Sequence, residues 1–208
     1  MSVQYAVQAD VFDIGRTSPQ GSDRFLVDSN VWLWMTYSNA RYGEPDWRAG
    51  LMAKYAAFVQ GAVAGNGKVC CCVLSIAELS HVIEKTEREI YEALTGTSIK
   101  AKEYRHNFAD QRARVVTEIK AVWAQIASLA EPLTVAIDSR SVNSVLNRLQ
   151  TEKADGYDLF ILESMHNNRV VQVITDDGDF ATVPGIQVFT ANRNVIQAAY
   201  AQGRLVSR

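Results

Sequence analysis

Short apolar runs that end on an acid constrain this chain more than any other feature. Phe25-Leu26-Val27 runs into Asp28, and Val170 to Ile174 runs through Thr175 into Asp176, Asp177 and Asp179. Runs of this length, rich in branched and aromatic residues, read as strands buried on both faces. A chain that places acids just past such strands gathers charge at one edge of a sheet.

The segments between the runs have helical spacing. Trp47, Leu51, Met52, Tyr55, Phe58 and Val59 predict a helix over 46–64, which Gly65-Asn66-Gly67 ends. Val69 to Leu74 predicts a second strand feeding a helix that starts near Ser75, and Ile99 to Ala130 a long helical stretch with room for one break, stopped by Pro132. Leu133 to Ile137 resembles a short strand, Val142 to Leu149 and Tyr157 to His166 helices, Ile186 to Phe189 a last strand, and Asn192 to Ala201 a closing helix. Strands alternating with amphipathic helices predict an α/β fold: one domain with a central, mostly parallel sheet flanked by helices on both faces. Residues 1–24, with a strand around Tyr5 to Val11 and a polar loop after it, read as an N-terminal extension; residues 25–208 read as the domain, with a helical elaboration at about 85–150.

Composition narrows the class. At 208 residues, 48% hydrophobic and 21% charged, the chain has material for a real core. No apolar run approaches the roughly 20 residues that span a bilayer, and the N-terminus lacks a basic-then-apolar leader, so the expected setting is cytoplasmic, without a membrane. Cys70, Cys71 and Cys72 are adjacent, with neither a distant cysteine partner nor zinc spacing, and are expected to pack as thiols. The net charge of −2 and the pI near 5.9 argue against a protein coated in basic charge and leave nucleic-acid binding undecided.

In open α/β sheets, ligand sites form outside the carboxyl ends of the strands, where acids distant in sequence can meet. Asp28 follows one strand, Glu78 lies beyond the next, Asp158 opens a helix, and Asp176, Asp177 and Asp179 follow a later strand. Carboxylates brought together repel one another and raise their pKa values until protons or cations neutralise them. An all-oxygen set with no clustered His or Cys favours Mg²⁺ or Mn²⁺. Such ions activate water and stabilise a leaving oxyanion, one or two at a time, which matches phosphodiester hydrolysis. Each acid also has a local explanation. Ser75 and Glu78 spell a capping box, Asp28 and Asp155 can cap helices, and Asp176-Asp177-Gly178 can be a polar turn. Their joint placement is what the local explanations leave over.

Four segments, in order, resemble the PIN-domain nuclease family, which includes many toxin components of bacterial toxin–antitoxin pairs and some RNA-processing enzymes. They are Phe25-Leu26-Val27-Asp28-Ser29-Asn30-Val31, Leu74-Ser75-Ile76-Ala77-Glu78-Leu79, Asp158 to Ser164, and Val173-Ile174-Thr175-Asp176-Asp177-Gly178-Asp179-Phe180. The resemblance spans roughly 25–190, with little match over about 85–150. It implies a metal-dependent endoribonuclease whose catalytic and metal-binding carboxylates are Asp28, Glu78, Asp158 and Asp177. Asp177 is selected as the second residue after the threonine, and Asp179 is an alternate ligand. Asn30, Ser75, Thr175 and Asp176 would orient carboxylates, water or phosphate. RNA is the implied substrate, Mg²⁺ or Mn²⁺ the implied cofactor, and a small antitoxin protein an implied partner if the chain is a toxin.

Lys100, Lys102, Arg105, Arg112, Arg114 and Lys120 outnumber the nearby acids by three and make a candidate phosphate-binding surface. His81, His106 and His166 lie in separate segments and read as structural. Trp32, Trp34, Tyr37 and Trp47 read as core or interface. The apolar helices near 46–64 and 115–130 offer a candidate homodimer surface. Two rival activities remain. A haloacid-dehalogenase-like phosphatase also needs an Asp-terminated strand and Mg²⁺, although Asn30 stands where its second Asp belongs and an amide cannot exchange that proton. A noncatalytic RNA- or protein-binding module of the same fold would keep the fold and lose turnover.

Overall fold

The computed structural model of the protein describes residues 3–208, so the first two residues of the expected extension lie outside the described residues. Six strands form one sheet: β1 (Asp10–Asp13), β2 (Arg24–Val27), β3 (Lys68–Cys72), β4 (Glu131–Leu133), β5 (Gln172–Ile174) and β6 (Gln187–Thr190). Their spatial order is β1-β6-β5-β2-β3-β4, and every pairing is parallel. From β2 the chain moves outward through β3 to β4, then returns to the other side of β2 for β5 and β6. The order of strand addition therefore reverses between β2 and β5, the place where open α/β sheets leave a crevice at their carboxyl edge.

Among the described residues eight α-helices flank the sheet: α1 (Ser29–Thr36), α2 (Asp46–Ala64), α3 (Ser75–Thr95), α4 (Ala101–Asn107), α5 (Ala109–Leu129), α6 (Ser139–Arg148), α7 (Gly156–Asn167) and α8 (Arg193–Ala201). The strands alternate their side chains between two cores, as a pleat requires. Phe25, Val27, Cys71, Ile174 and Phe189 enter one core with α1, α2, α3 and α5; Leu26, Cys70, Cys72, Val173 and Val188 enter the other with α6, α7 and α8. The three cysteines are free and buried, divided between the two cores.

The structure moves several expected boundaries. The N-terminal segment supplies β1 at Asp10–Asp13, shifted toward the C-terminus from the strand expected around Tyr5 to Val11, and β1 pairs with β6 at one edge of the sheet, with Phe12 stacked on Phe189 at 4.6 Å between ring centroids. The stretch 99–130 breaks at Phe108, which leaves helical geometry (φ −119°, ψ 75°) so that its ring packs on Tyr91 and Tyr104. The strand expected at Leu133 to Ile137 is Glu131–Leu133, and Ile137 is exposed. Pro132 is tolerated there because β4 is an edge strand, with only β3 as neighbour, and an edge can spare one ladder donor. Much of the apolar side of the two helices offered as a dimer surface is used inside the protein: Met52, Tyr55, Phe58 and Val59 of α2 and Val115, Val122 and Ile126 of α5 are buried, while Trp47, Val63 and Leu129 are exposed.

Candidate active site

The reversal between β2 and β5 holds a pocket of about 220 Å³ lined by Asp28, Ser29, Asn30, Leu33, Glu78, Leu79, Val82, Asp155, Asp158 and Asp177. Each acid arrives on its own element. Asp28 follows β2, with its backbone N–H on the Ile174 carbonyl of β5 (3.1 Å), and its carboxylate caps α1 by accepting from the Ser29 N–H at 2.7 Å. The other oxygen of that carboxylate accepts the Thr175 hydroxyl at 2.6 Å. The Thr175 oxygen in turn accepts the Asp177 N–H at 2.9 Å, so one hydroxyl ties the first acid to the last. Asp177 accepts the Asp179 N–H at 2.8 Å, which turns the chain into the short 3-10 helix Asp179–Thr182.

Glu78 projects from the first turn of α3, and the Ser29 hydroxyl donates to it. The capping-box alternative does not form: Ser75 is already the first helical residue, Leu74 stands at the cap, and no side chain caps the helix. Ser75 is buried and is not among the residues lining the pocket. Asp155 is the acid that the sequence treated only as a cap. It does cap α7, accepting from Tyr157 and Asp158 N–H groups at 2.8 and 3.1 Å, and it also lines the pocket beside Asp158. Its three-residue spacing from Asp158 on a helix start was the available signal.

Charge and burial work against each other here. Asp28 and Asp158 are only 5% and 7% exposed. Burial, then the neighbouring carboxylates, push Asp158 up to about 9. Burial is also the main cause that raises Asp28 to about 7, with Glu78 and Asp177 adding to it and the Thr175 hydroxyl opposing it. Glu78 is raised for the same reason, against the Ser29 hydrogen bond. Burial, then Asp177 and Asp155, raise Asp179, which stands next to the pocket without lining it. Asn30 donates weakly toward Thr175 at 3.5 Å, while its Oδ1 is buried with no partner. Among the described residues no three Asp, Glu, His or Cys side chains form a ready metal-ligand group. The donors that line the pocket are all oxygen, the chemistry a hard divalent cation prefers, and the unpartnered Asn30 oxygen adds one more.

Asp176 points the other way. Its carboxylate accepts the Tyr55 hydroxyl at 2.8 Å and lines a second cavity on the far side of the same turn. Tyr55 and Asn192 were not legible as site residues. The Tyr55 oxygen also bonds to Thr175 O, Thr190 Oγ1 and the Ala191 N–H, and Asn192 donates to Asp176 O at 2.7 Å.

The candidate basic surface is partly consumed. Arg105 and Arg112 both clamp Glu84, Arg112 at 2.9 Å, which leaves Lys100, Lys102, Arg114 and Lys120 exposed without an ion pair among the described residues. Trp32 and Tyr37 are buried, as expected of core, whereas Trp47 is 67% exposed. The three histidines are exposed on separate helices. Among the described residues no helix is long and apolar enough to cross a membrane.

No protein-family model matches the chain, and no curated protein matches it. Among solved structures, that of VapBC2 from Rickettsia felis bound to a DNA fragment from their promoter is similar over 79% of this chain and 96% of that chain, at 13% identity and a TM-score of 0.44. At that distance, function has to be argued from the chain's own residues.

Proposed function

We propose that the chain is a metal-dependent endoribonuclease in which Asp28, Glu78, Asp158 and Asp177 hold one or two Mg²⁺ or Mn²⁺ ions. The observation that carries this reading is the convergence of carboxylates from four separate segments into one pocket, where burial and mutual repulsion raise the pKa values of Asp28, Glu78 and Asp158. A fold spends stability on such a cluster without return unless a cation relieves it. Asp28, Glu78, Asp158 and Asp177 would hold the ion, whose chemistry there would be activation of a water for attack and charge stabilisation at the scissile phosphate and its leaving oxygen.

The protein's own part is positional. Thr175 fixes the carboxylate of Asp28 and, through the Asp177 N–H, the turn that carries Asp177. Ser29 orients Glu78, and the free Oδ1 of Asn30 is available to a water or a ligated ion. Asp155 adds negative potential at the mouth. The toxin role, with a small antitoxin protein covering the pocket, extends this reading and rests on the sequence resemblance; growth arrest on expression, relieved by the product of an adjacent small reading frame, would test it.

The nuclease reading is tested by incubating wild type and Asp28→Asn with labelled single-stranded RNA and matched DNA, in Mg²⁺, Mn²⁺ or chelator. Cleavage by wild type alone, abolished by chelator, is the expected result. Equal cleavage by both proteins would remove Asp28 from the mechanism, and hydrolysis of small phosphoesters in place of RNA would favour the phosphatase.

A further inference from the structure

The second cavity, about 610 Å³, is lined by the first turns of α2 and α8 and by Asp176. Its chemistry is unlike that of the acid pocket. Arg48, Lys54 and Arg193 share this lining with a single carboxylate, Asp176, whose pKa burial raises against the opposing effects of the Tyr55 hydroxyl and Arg48. Arg48 is further occupied, paired with Glu44 at 3.4 Å and lying 5.5 Å over the Trp34 ring. Lys54 and Arg193 are exposed, and neither forms an ion pair among the described residues. Trp47, two-thirds exposed, stands on the rim, at the start of α2. Free cations beside an exposed indole match a phosphate next to a base that can stack.

We infer that this cleft is a subsite for single-stranded nucleic acid, with backbone phosphates on Lys54 and Arg193 and a base on Trp47. The inference rests on the nuclease reading for its direction: the strand runs from the cleft toward the acid pocket. The two cavities share one wall, because Asp176 and Asp177 are successive residues, about 3.8 Å apart at Cα, whose side chains leave on opposite sides. Tyr55 and Asn192 brace that wall from the cleft side. A strand held in the cleft is therefore held at a fixed offset from Asp177. The acid pocket repels an anion until a cation enters it, so affinity for the polymer has to come from elsewhere, and the cleft supplies it.

The test separates binding from chemistry. A labelled ten-nucleotide single-stranded RNA and its DNA counterpart are titrated by anisotropy, in chelator, against Asp28→Asn protein and the same protein carrying Lys54→Ala with Arg193→Ala, or Trp47→Ala, or Gly50→Glu. Gly50 suits the last change because a Cβ there meets nothing within 4 Å and glutamate favours a helix more than glycine does. The double variant is expected to bind about tenfold more weakly at 0.1 M salt and to lower the salt slope by about 1 to 2, one contact per lost cation. Trp47→Ala is expected to cost about fivefold or more. Undiminished affinity and slope in all three would overturn the inference, as would no oligonucleotide binding by the parent. Weakened binding in the cleft variants, with wild type cutting nothing in any metal, would keep the cleft and discard the nuclease. Cleavage with cleft variants that bind as well as the parent would do the reverse.

Discussion

The acid pocket and the basic cleft meet at the turn Thr175-Asp176-Asp177, yet they carry charge in opposite ways. In the pocket, carboxylates are buried against one another, and that burial raises the pKa values of Asp28 and Asp158. In the cleft, Lys54 and Arg193 stay in water, where a charge costs nothing to keep. The difference shows how a protein divides phosphate-handling work. Exposed cations attract the polymer without local strain, while a strained acidic site selects for the small, highly charged ion that reaction needs. Tyr55 joins the two, since its hydroxyl touches Thr175 O and Asp176 on the wall and Thr190 and Ala191 beneath it.

If the division is real, changes on one side should leave the other largely alone. Asp28→Asn is expected to lower RNA hydrolysis by at least about 100-fold, because it removes a central carboxylate, while RNA affinity in chelator stays within about threefold. Thr175→Val is milder. It deletes the hydroxyl that fixes Asp28 and accepts from Asp177, and should weaken Mn²⁺ binding about 10- to 100-fold by calorimetry. Tyr55→Phe breaks the comparison from the middle: it leaves buried partners unsatisfied, costs about 1–3 kcal/mol in urea unfolding, and weakens both metal and RNA binding.

The smallest change has the opposite sign. Asp158 has its folded pKa raised, so its own contribution to the stability of the metal-free protein is fully present below the ordinary aspartate range and is lost as pH climbs from about 4 toward 9. Asp158→Asn removes that loss, and at pH 8 in chelator the variant should be more stable than wild type by about 1–2 kcal/mol, measured by thermal or urea unfolding. A less stable variant would mean that Asp158 is held by attraction and not by repulsion.

The parallel sheet was legible because β2, β3 and β5 are buried on both faces and their sequences carry unbroken apolar runs. Edge strands were less so: β1 starts and ends on aspartate, and β4 contains Pro132 and the exposed Glu131, since an edge places fewer demands on sequence. The pocket acids could be read from their position after strands. Asp155 was hidden by its second occupation as a helix cap, and Ser29 replaced Ser75 as the partner of Glu78 because that pairing depends on how α1 and α3 cross. Arg105 and Arg112 looked like free cations because sequence does not show that Glu84, on the separate helix α3, faces them. Tyr55 and the cleft had no sequence signal, as they arise from contacts more than 100 residues apart.

The most direct measurement is a Mn²⁺ titration of the metal-free protein by calorimetry at pH 7, repeated in buffers of different ionisation enthalpy to count protons released. Saturable binding that releases about one to two protons per protein, and fewer as pH approaches 9, is the predicted result, since Asp28 and Asp158 must surrender protons to accept the ion. No saturable binding, or binding unaffected by Asp28→Asn and Asp158→Asn, would contradict the assignment of the pocket as a metal centre.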